Sequence, residues 1–246
     1  MKPIIQVKNL TTQFDHNVVL KDVSVDIYPH QITVILGRSG CGKTTFLKNL
    51  IRLIQPTAGS IEIMGQEVTA MEEVEFNRIL RQIGVLFQNG ALLNSLTVGE
   101  NVAIPLEQHT NLPRGLIQRL VLTKLHLVEL DHAIHLFPSQ LSGGMRKRAA
   151  LARAIALDPL ILFGDEPTAG LDPITAAGLD QLLFKLRDLL NMTLVIVTHE
   201  LASIQRIADR IIFLEQGQVL FQGTIQQALA ANIPAIQHFF NPTSRH

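Results

Sequence analysis

The segment Gly37-Arg38-Ser39-Gly40-Cys41-Gly42-Lys43-Thr44 constrains this chain more than any other. It satisfies the pattern G-x-x-x-x-G-K-[ST]. The apolar run Ile32–Leu36 precedes it, and a helical run through Phe46, Leu47, Leu50 and Ile51 follows. Strand, glycine-rich turn and helix in that order make a phosphate cradle. The glycines let successive backbone N–H groups turn inward, and the helix presents its positive end. In such a loop Lys43 reaches the β- and γ-phosphates and the Thr44 hydroxyl ligates Mg²⁺. Gly37, Arg38, Ser39, Gly40, Cys41, Gly42, Lys43, Thr44 and Thr45 are therefore candidate nucleotide-binding residues. The fold this demands is α/β, with a parallel sheet buried on both faces.

Three further apolar runs, Leu160–Phe163, Leu194–Val197 and Ile211–Leu214, read as strands of that sheet. Ligands gather at the carboxyl ends of such strands. The Leu160–Phe163 run ends in Gly164-Asp165-Glu166, where Asp165 orders the Mg²⁺ shell and Glu166 polarises an attacking water. The Leu194–Val197 run ends in Thr198-His199, which places His199 to donate toward the γ-phosphate. A helix begins at Asp172-Pro173, a cap followed by Pro at the first position, and runs on through Leu179, Leu182, Leu183, Leu186 and Leu190. From about Asn89 to Asp158 the pattern is mostly helical, with Leu116, Ile117, Leu120, Val121, Leu125 and Val128 tracing one packed face.

Lys plus Arg equals Asp plus Glu, 21 each, so no overall field steers the chain to nucleic acid. Arg146, Lys147, Arg148 and Arg153 read as a solvated or interdomain helix face. His132 and His135 lack the Cys or acidic partners a zinc site needs. No run of ~20 apolar residues is present to span a membrane, and the first residues lack the apolar stretch of a secretory leader. Cys41, the one cysteine, has no partner for an internal disulfide, which fits a reducing compartment and a tolerated loop position.

Leu141-Ser142-Gly143-Gly144-Met145 opens another helix, with Ser142 as cap and two glycines that allow close approach to an anion. With this segment the chain resembles the ABC transporter ATPases, whose signature is LSGGQ. The resemblance covers nearly the whole chain in the family's order: the P-loop, Gln88 of the Q-loop, the signature, Asp165-Glu166, Ala169-Gly170-Leu171-Asp172 and His199. It implies a P-loop core with an N-terminal antiparallel β-subdomain and an inserted α-helical subdomain. Residues 1–88 and 159–224 would form the nucleotide-binding core, 89–158 the helical signature subdomain and 225–246 a C-terminal helical tail.

The resemblance also implies ATP and Mg²⁺ as ligands and a head-to-tail dimer of two copies. Ser142, Gly143, Gly144 and Asp172 of one copy would then complete the other's site. Phe14 would stack on adenine, and Gln88 would contact Mg²⁺ or the attacking water and sense a membrane permease. The catalytic set is Glu166, His199, Lys43 and Gln88; the metal set is Thr44, Gln88 and Asp165. The implied place is the cytoplasmic face of the inner membrane.

Within the family, Gln88–Val98, Glu100–Pro113 and the LSGGM variant are similar to the ATPases of the Mla phospholipid transporters, which work with MCE-domain proteins. Three features depart from the common family pattern. Met145 stands for the signature Gln, Gln140 stands where an acidic residue is common, and Gly164 is small in a usually bulky strand position. The sequence runs only a few residues past Phe239-Phe240, so the extension through which some relatives bind a small regulatory partner, and that partner with it, is not expected. Transport of another substrate and a non-transport regulator of a membrane complex remain as alternatives. The single P-loop and the lack of a long coiled-coil insertion argue against a soluble DNA-repair or translation protein.

Overall fold

The computed structural model describes residues 1–240, in two compact units. The first comprises Met1–Asn77 and the described residues from Val195 onward, and the second Arg78–Leu194.

In the first unit a hairpin joins β1 (Ile5–Phe14) to β2 (Asn17–Ile27). Its turn uses Asp15 in the left-handed region, which Asp tolerates better than most residues. β3 (Ile32–Gly37) is buried at all six positions and leads into α1 (Lys43–Leu50). β4 (Ala58–Ile63) and β5 (Gln66–Glu67) complete a four-stranded antiparallel sheet of order β2-β1-β4-β5. α2 (Glu73–Leu80) begins in this unit and ends in the next.

The second unit starts with β6 (Ile83–Leu86), followed by α3 (Val98–His109), α4 (Arg114–Leu127) and α5 (Gly143–Ala154). β7 (Ile161–Asp165) runs parallel to β6, with Leu86 level with Gly164. α6 (Pro173–Leu190) follows, capped by Asp172 as its sequence predicts. β8 (Thr193–Val197) starts here and finishes in the first unit. The chain then adds α7 (Leu201–Ile207), β9 (Arg210–Glu215), β10 (Gln218–Gly223), α8 (Ile225–Ala230) and α9 (Pro234–Phe240).

In the first unit the strands run β10-β9-β3-β8, with β3 and β9 parallel and β10 antiparallel to β9. All four expected apolar runs thus fall in strands, except that Leu160 lies just ahead of β7 and is 45% exposed. Phe46, Leu47 and Leu50 of α1 are buried, as are Ile211–Leu214 of β9, each large side chain contributing about 1.5–3 kcal/mol. The Asp209 carboxylate accepts from the Ile32 N–H at 2.7 Å and ties the start of β3 to the start of β9.

Helices α3, α4 and α5 pack on one another through Val102, Leu106, Ile117, Val121, Leu125 and Leu151, all buried. A capping box between Thr97 and Glu100 starts α3. The stripe expected on α4 is narrower than its sequence pattern. Leu116 is exposed and Leu120 only half-buried, while Ile117, Val121 and Leu125 carry the buried face.

Packing groups the expected helical stretch 89–158 with β6, β7 and α6. Gly84 of β6 shows why: a Cβ there would lie 2.4 Å from the Ala154 carbonyl, so α5 rests directly on the strand. α8 and α9 lie in the expected tail 225–246; its residues 241–246 fall outside the described part.

Candidate functional site

In the first unit the phosphate loop leaves β3 at Gly37. Its φ of 149° puts the position a Cβ would occupy 2.1 Å from the Leu214 carbonyl oxygen, which only glycine permits. Gly42, at φ 102°, is the N-cap of α1, and the Phe46 N–H donates back to its carbonyl at 2.8 Å. The Lys43 ammonium donates to the Gly37 and Arg38 carbonyls at 2.9 and 3.0 Å, spanning the loop from end to start. Arg38, Ser39, Gly40 and Thr44 are exposed and Thr45 half-buried, while Cys41 is buried. Burial pushes the Cys41 thiol up, against the pull of Lys43.

Two more expected residues belong to this unit. The Thr198 N–H donates to the Ile35 carbonyl at 3.3 Å, and the Thr198 hydroxyl accepts from the Glu200 N–H at 3.2 Å. That turn leaves His199 exposed at the carboxyl end of β8, beside the strand that feeds the phosphate loop. Phe14 is 45% exposed at the end of β1, so its ring is not packed into the core and is open to stacking. Asn49, fully buried, was not singled out from the sequence. Its amide donates to the Thr45 carbonyl and its oxygen accepts from the Thr12 hydroxyl, both at 2.8 Å, which joins α1 to the strand bearing Phe14.

In the second unit the parallel pairing of β6 and β7 brings Gln88 and Asp165-Glu166 to adjacent strand ends. Glu166 has φ 47° and precedes Pro167. A non-glycine residue in that region is strained, as residues at reactive centres often are. The Ser142 hydroxyl caps α5 by accepting from the Met145 N–H at 3.2 Å, and Ser142 and Gly143 are exposed there. A Cβ on Gly144 would stand 2.5 Å from the Thr175 Cγ2, which fits the signature closely to the start of α6.

Asp172 accepts from the Ile174 and Thr175 N–H groups at 3.1 and 3.0 Å and from the Thr175 hydroxyl. The Thr175 hydroxyl and N–H together hold its carboxyl below the usual range. Gln140 closes a local turn by accepting from the Phe137 N–H at 2.8 Å, a use that needs no negative charge.

The basic cluster after the signature, expected as a solvated or interdomain helix face, is not solvated, and the structure corrects that half of the expectation. Of its four cations only Arg146 is exposed. Lys147 is buried, donating to the carbonyls of Gln88 and Glu166. Arg148 pairs with Glu129 at 2.8 Å and donates to the Val128 carbonyl, and Arg153 donates to the Gly90 and Ala91 carbonyls. Unsatisfied carbonyls draw the cations inward.

In the second unit Gln88 and Asp165 offer amide and carboxylate oxygens at adjacent strand ends, and in the first unit Thr44 separately offers a hydroxyl oxygen. These are the hard donors Mg²⁺ takes, usually in small number beside phosphate and water.

A phosphate loop, a signature-capped helix and an acidic strand end in one chain match a known family along residues 20–169, that of the ABC transporters. The chain belongs to the ABC transporter family. It is 39% identical over 241 residues to the intermembrane phospholipid transport system ATP-binding protein MlaF of Haemophilus influenzae, covering 98% of this chain and 91% of that protein. It is 40% identical over 237 residues to the probable ribonucleotide transport ATP-binding protein mkl of Mycobacterium leprae, covering 96% and 68% respectively. The dimeric post-hydrolysis structure of the cassette MJ0796, bound to ADP and Pi, superposes with a TM-score of 0.82 at 33% identity over 90% of this chain and 98% of that one. This chain is accordingly an ABC ATPase subunit with the family's α/β fold.

Proposed function

We propose that two copies of this chain, bound to a separate permease at the cytoplasmic face of the inner membrane, hydrolyse ATP to move phospholipid across the bacterial envelope. An MCE-domain lipid-binding protein joins the complex through the permease. The observation that carries the lipid reading is the 39% identity to the H. influenzae phospholipid-system ATPase over 98% of this chain. The dimeric cassette with ADP and Pi supports hydrolysis and the paired state. Among the described residues no helix is long and apolar enough to cross a membrane, so the membrane contact belongs to the partner in this reading.

The residues divide the work. In the first unit Phe14 holds the base, the loop amides and Lys43 hold the phosphates, and His199 steadies charge developing on the γ-phosphate. In the second Glu166 takes the proton of the attacking water and Gln88 orients it, while Ser142, Gly143 and Gly144 present a helix start to the nucleotide held by the other copy. When bound, Mg²⁺ neutralises phosphate charge; Thr44 is the ligand offered by the first unit, Asp165 and Gln88 those offered by the second.

A cleft of about 590 Å³ between α3 and α4 supports a permease dock. It combines Glu100, Glu107 and Arg114 with apolar Ile117, Val121 and Ile134. A second reading, transport of a soluble nucleotide or other solute, is favoured by the name of the M. leprae relative. Affinity purification from native membranes in mild detergent, with mass spectrometry of proteins and lipids, separates the two. Recovery of an MCE-domain protein, a multi-span permease and phospholipid is the expected result. A solute permease or a division protein in their place overturns the lipid reading and leaves the ATPase.

A further inference from the structure

Lys147, Ala150 and Arg153 recur every three residues and so share one face of α5. Along that face lies the backbone of residues 88–91. Lys147 donates to the Gln88 carbonyl. The position of a Cβ on Gly90, at φ 73°, is 3.2 Å from the Ala150 Cβ. Arg153 donates to the Gly90 carbonyl at 3.0 Å and to the Ala91 carbonyl at 2.8 Å. Ala91 is itself left-handed, at φ 51°, a conformation an alanine keeps only where its surroundings hold it. The loop is fastened to the helix at three successive points.

Lys147 also reaches beyond the loop. Its ammonium lies 3.4 Å from the Glu166 carbonyl oxygen, the peptide that carries the strained φ of 47° ahead of Pro167. Lys147 is 7% exposed. A buried ammonium is costly unless its donors are used. Two of its N–H donors join the backbone of the residue that orients water to that of the residue that takes the proton.

We infer that Lys147 is a positioning residue for ATP hydrolysis, which fixes the backbone of Gln88 and Glu166 to the signature helix so that the three move as one body. Arg153 is the second fastening of the same clamp. This rests on the ATPase reading above. Loss of Lys147 leaves the phosphate loop untouched, so nucleotide binding persists while the chemical step suffers.

The test uses the full chain. Lys147→Met keeps the length and apolar stem and removes the donors. Its kcat falls about tenfold or more while KM for ATP stays within about threefold, as expected when an orienting contact is lost. Lys147→Gln, which keeps an amide donor, recovers part of kcat. Lys124→Met removes another buried lysine of the same unit, paired with Asp158 away from Gln88 and Glu166, and keeps kcat at a comparable loss of melting temperature.

Amide hydrogen exchange over residues 88–91 speeds up in Lys147→Met and in Arg153→Met but not in Lys124→Met. A kcat within twofold of wild type in Lys147→Met overturns the inference, as does an equal loss in Lys124→Met. Should Lys147→Met fail to fold, Arg153→Met decides by the same exchange and kcat readouts. A wild-type chain that does not hydrolyse ATP overturns the ATPase reading instead, and the exchange readout, which needs no ATP, still decides the clamp.

Discussion

Replacing Gly144 with alanine tests how closely the signature is fitted to the start of α6. The added Cβ would stand 2.5 Å from the Thr175 Cγ2, where ordinary carbon–carbon contact is about 3.5–4.0 Å. About 1 Å must be found. Threonine is stiff at χ1, and its hydroxyl is bonded to the Asp172 carboxylate that caps α6. Turning the methyl away breaks that bond, and keeping the bond pushes α5 off α6. Such overpacking costs about 1–3 kcal/mol.

Against it stands the gain of about 0.5–1 kcal/mol that alanine brings over glycine inside a helix. The midpoints of these ranges leave a net loss of about 1 kcal/mol, which lowers the melting temperature by about 2–4 °C in a chain of this size. Thr175→Ser removes the methyl and keeps the hydroxyl. In that background Gly144→Ala becomes neutral or stabilising, and a double-mutant cycle by thermal melts reads the coupling. A Gly144→Ala chain that melts at or above wild type refutes the reasoning. So does a serine background that gives no relief.

Glu166→Gln lowers ATP turnover by about 10²–10⁴-fold and leaves nucleotide binding in place, read by phosphate release and by a fluorescent ATP analogue. Near-normal turnover removes Glu166 from the chemistry. Asp172 and Glu100 both have carboxyls held below the usual range, by Thr175 and by Thr97 respectively. A depressed carboxyl contributes stability above its unfolded value, and that contribution is lost as pH falls through the folded one. Melting curves therefore fall off below about pH 4, and Asp172→Asn flattens part of that fall; an unchanged acid limb contradicts the capping role. Asn101, buried on α3, bonds the Leu93 N–H and the Leu93, Leu96 and Thr97 carbonyls. Asn101→Ala costs about 2–4 kcal/mol by leaving these groups unpaired, with faster proteolysis at residues 89–97 as the readout.

The strands and loop of the phosphate site were legible in the sequence because each signal is local. A run such as Ile32–Leu36 needs no partner to look buried, and caps at Ser142 and Asp172 are set within one turn. The antiparallel sheet was not readable from pattern. β1 and β2 carry register shifts at Leu10 and Thr12, and Asn9 and Asp22 sit at positive φ, so the period of two breaks. Residues 5–27 were placed only through the family resemblance.

The inward turn of Lys147, Arg148 and Arg153 was hidden for another reason. A cation's destination depends on which carbonyls the tertiary fold leaves unpaired, and charge on a helix reads alike whether it meets water or backbone. Asn49 and Asn101 were missed in the same way. A polar residue on an otherwise apolar helix face was the available signal for each. The proposed assembly of the reactive residues rests on the order of motifs along the chain, which the resemblance supplied.

The most direct measurement of the central claim is lipid movement by the captured complex. The complex would be purified from native membranes, rebuilt in vesicles carrying fluorescent phospholipid, and supplied with ATP. The account predicts lipid transfer that requires ATP and stops with Glu166→Gln, while that variant still binds nucleotide. ATP hydrolysis that proceeds with no change in lipid transfer, in a complex that moves a solute instead, would contradict it.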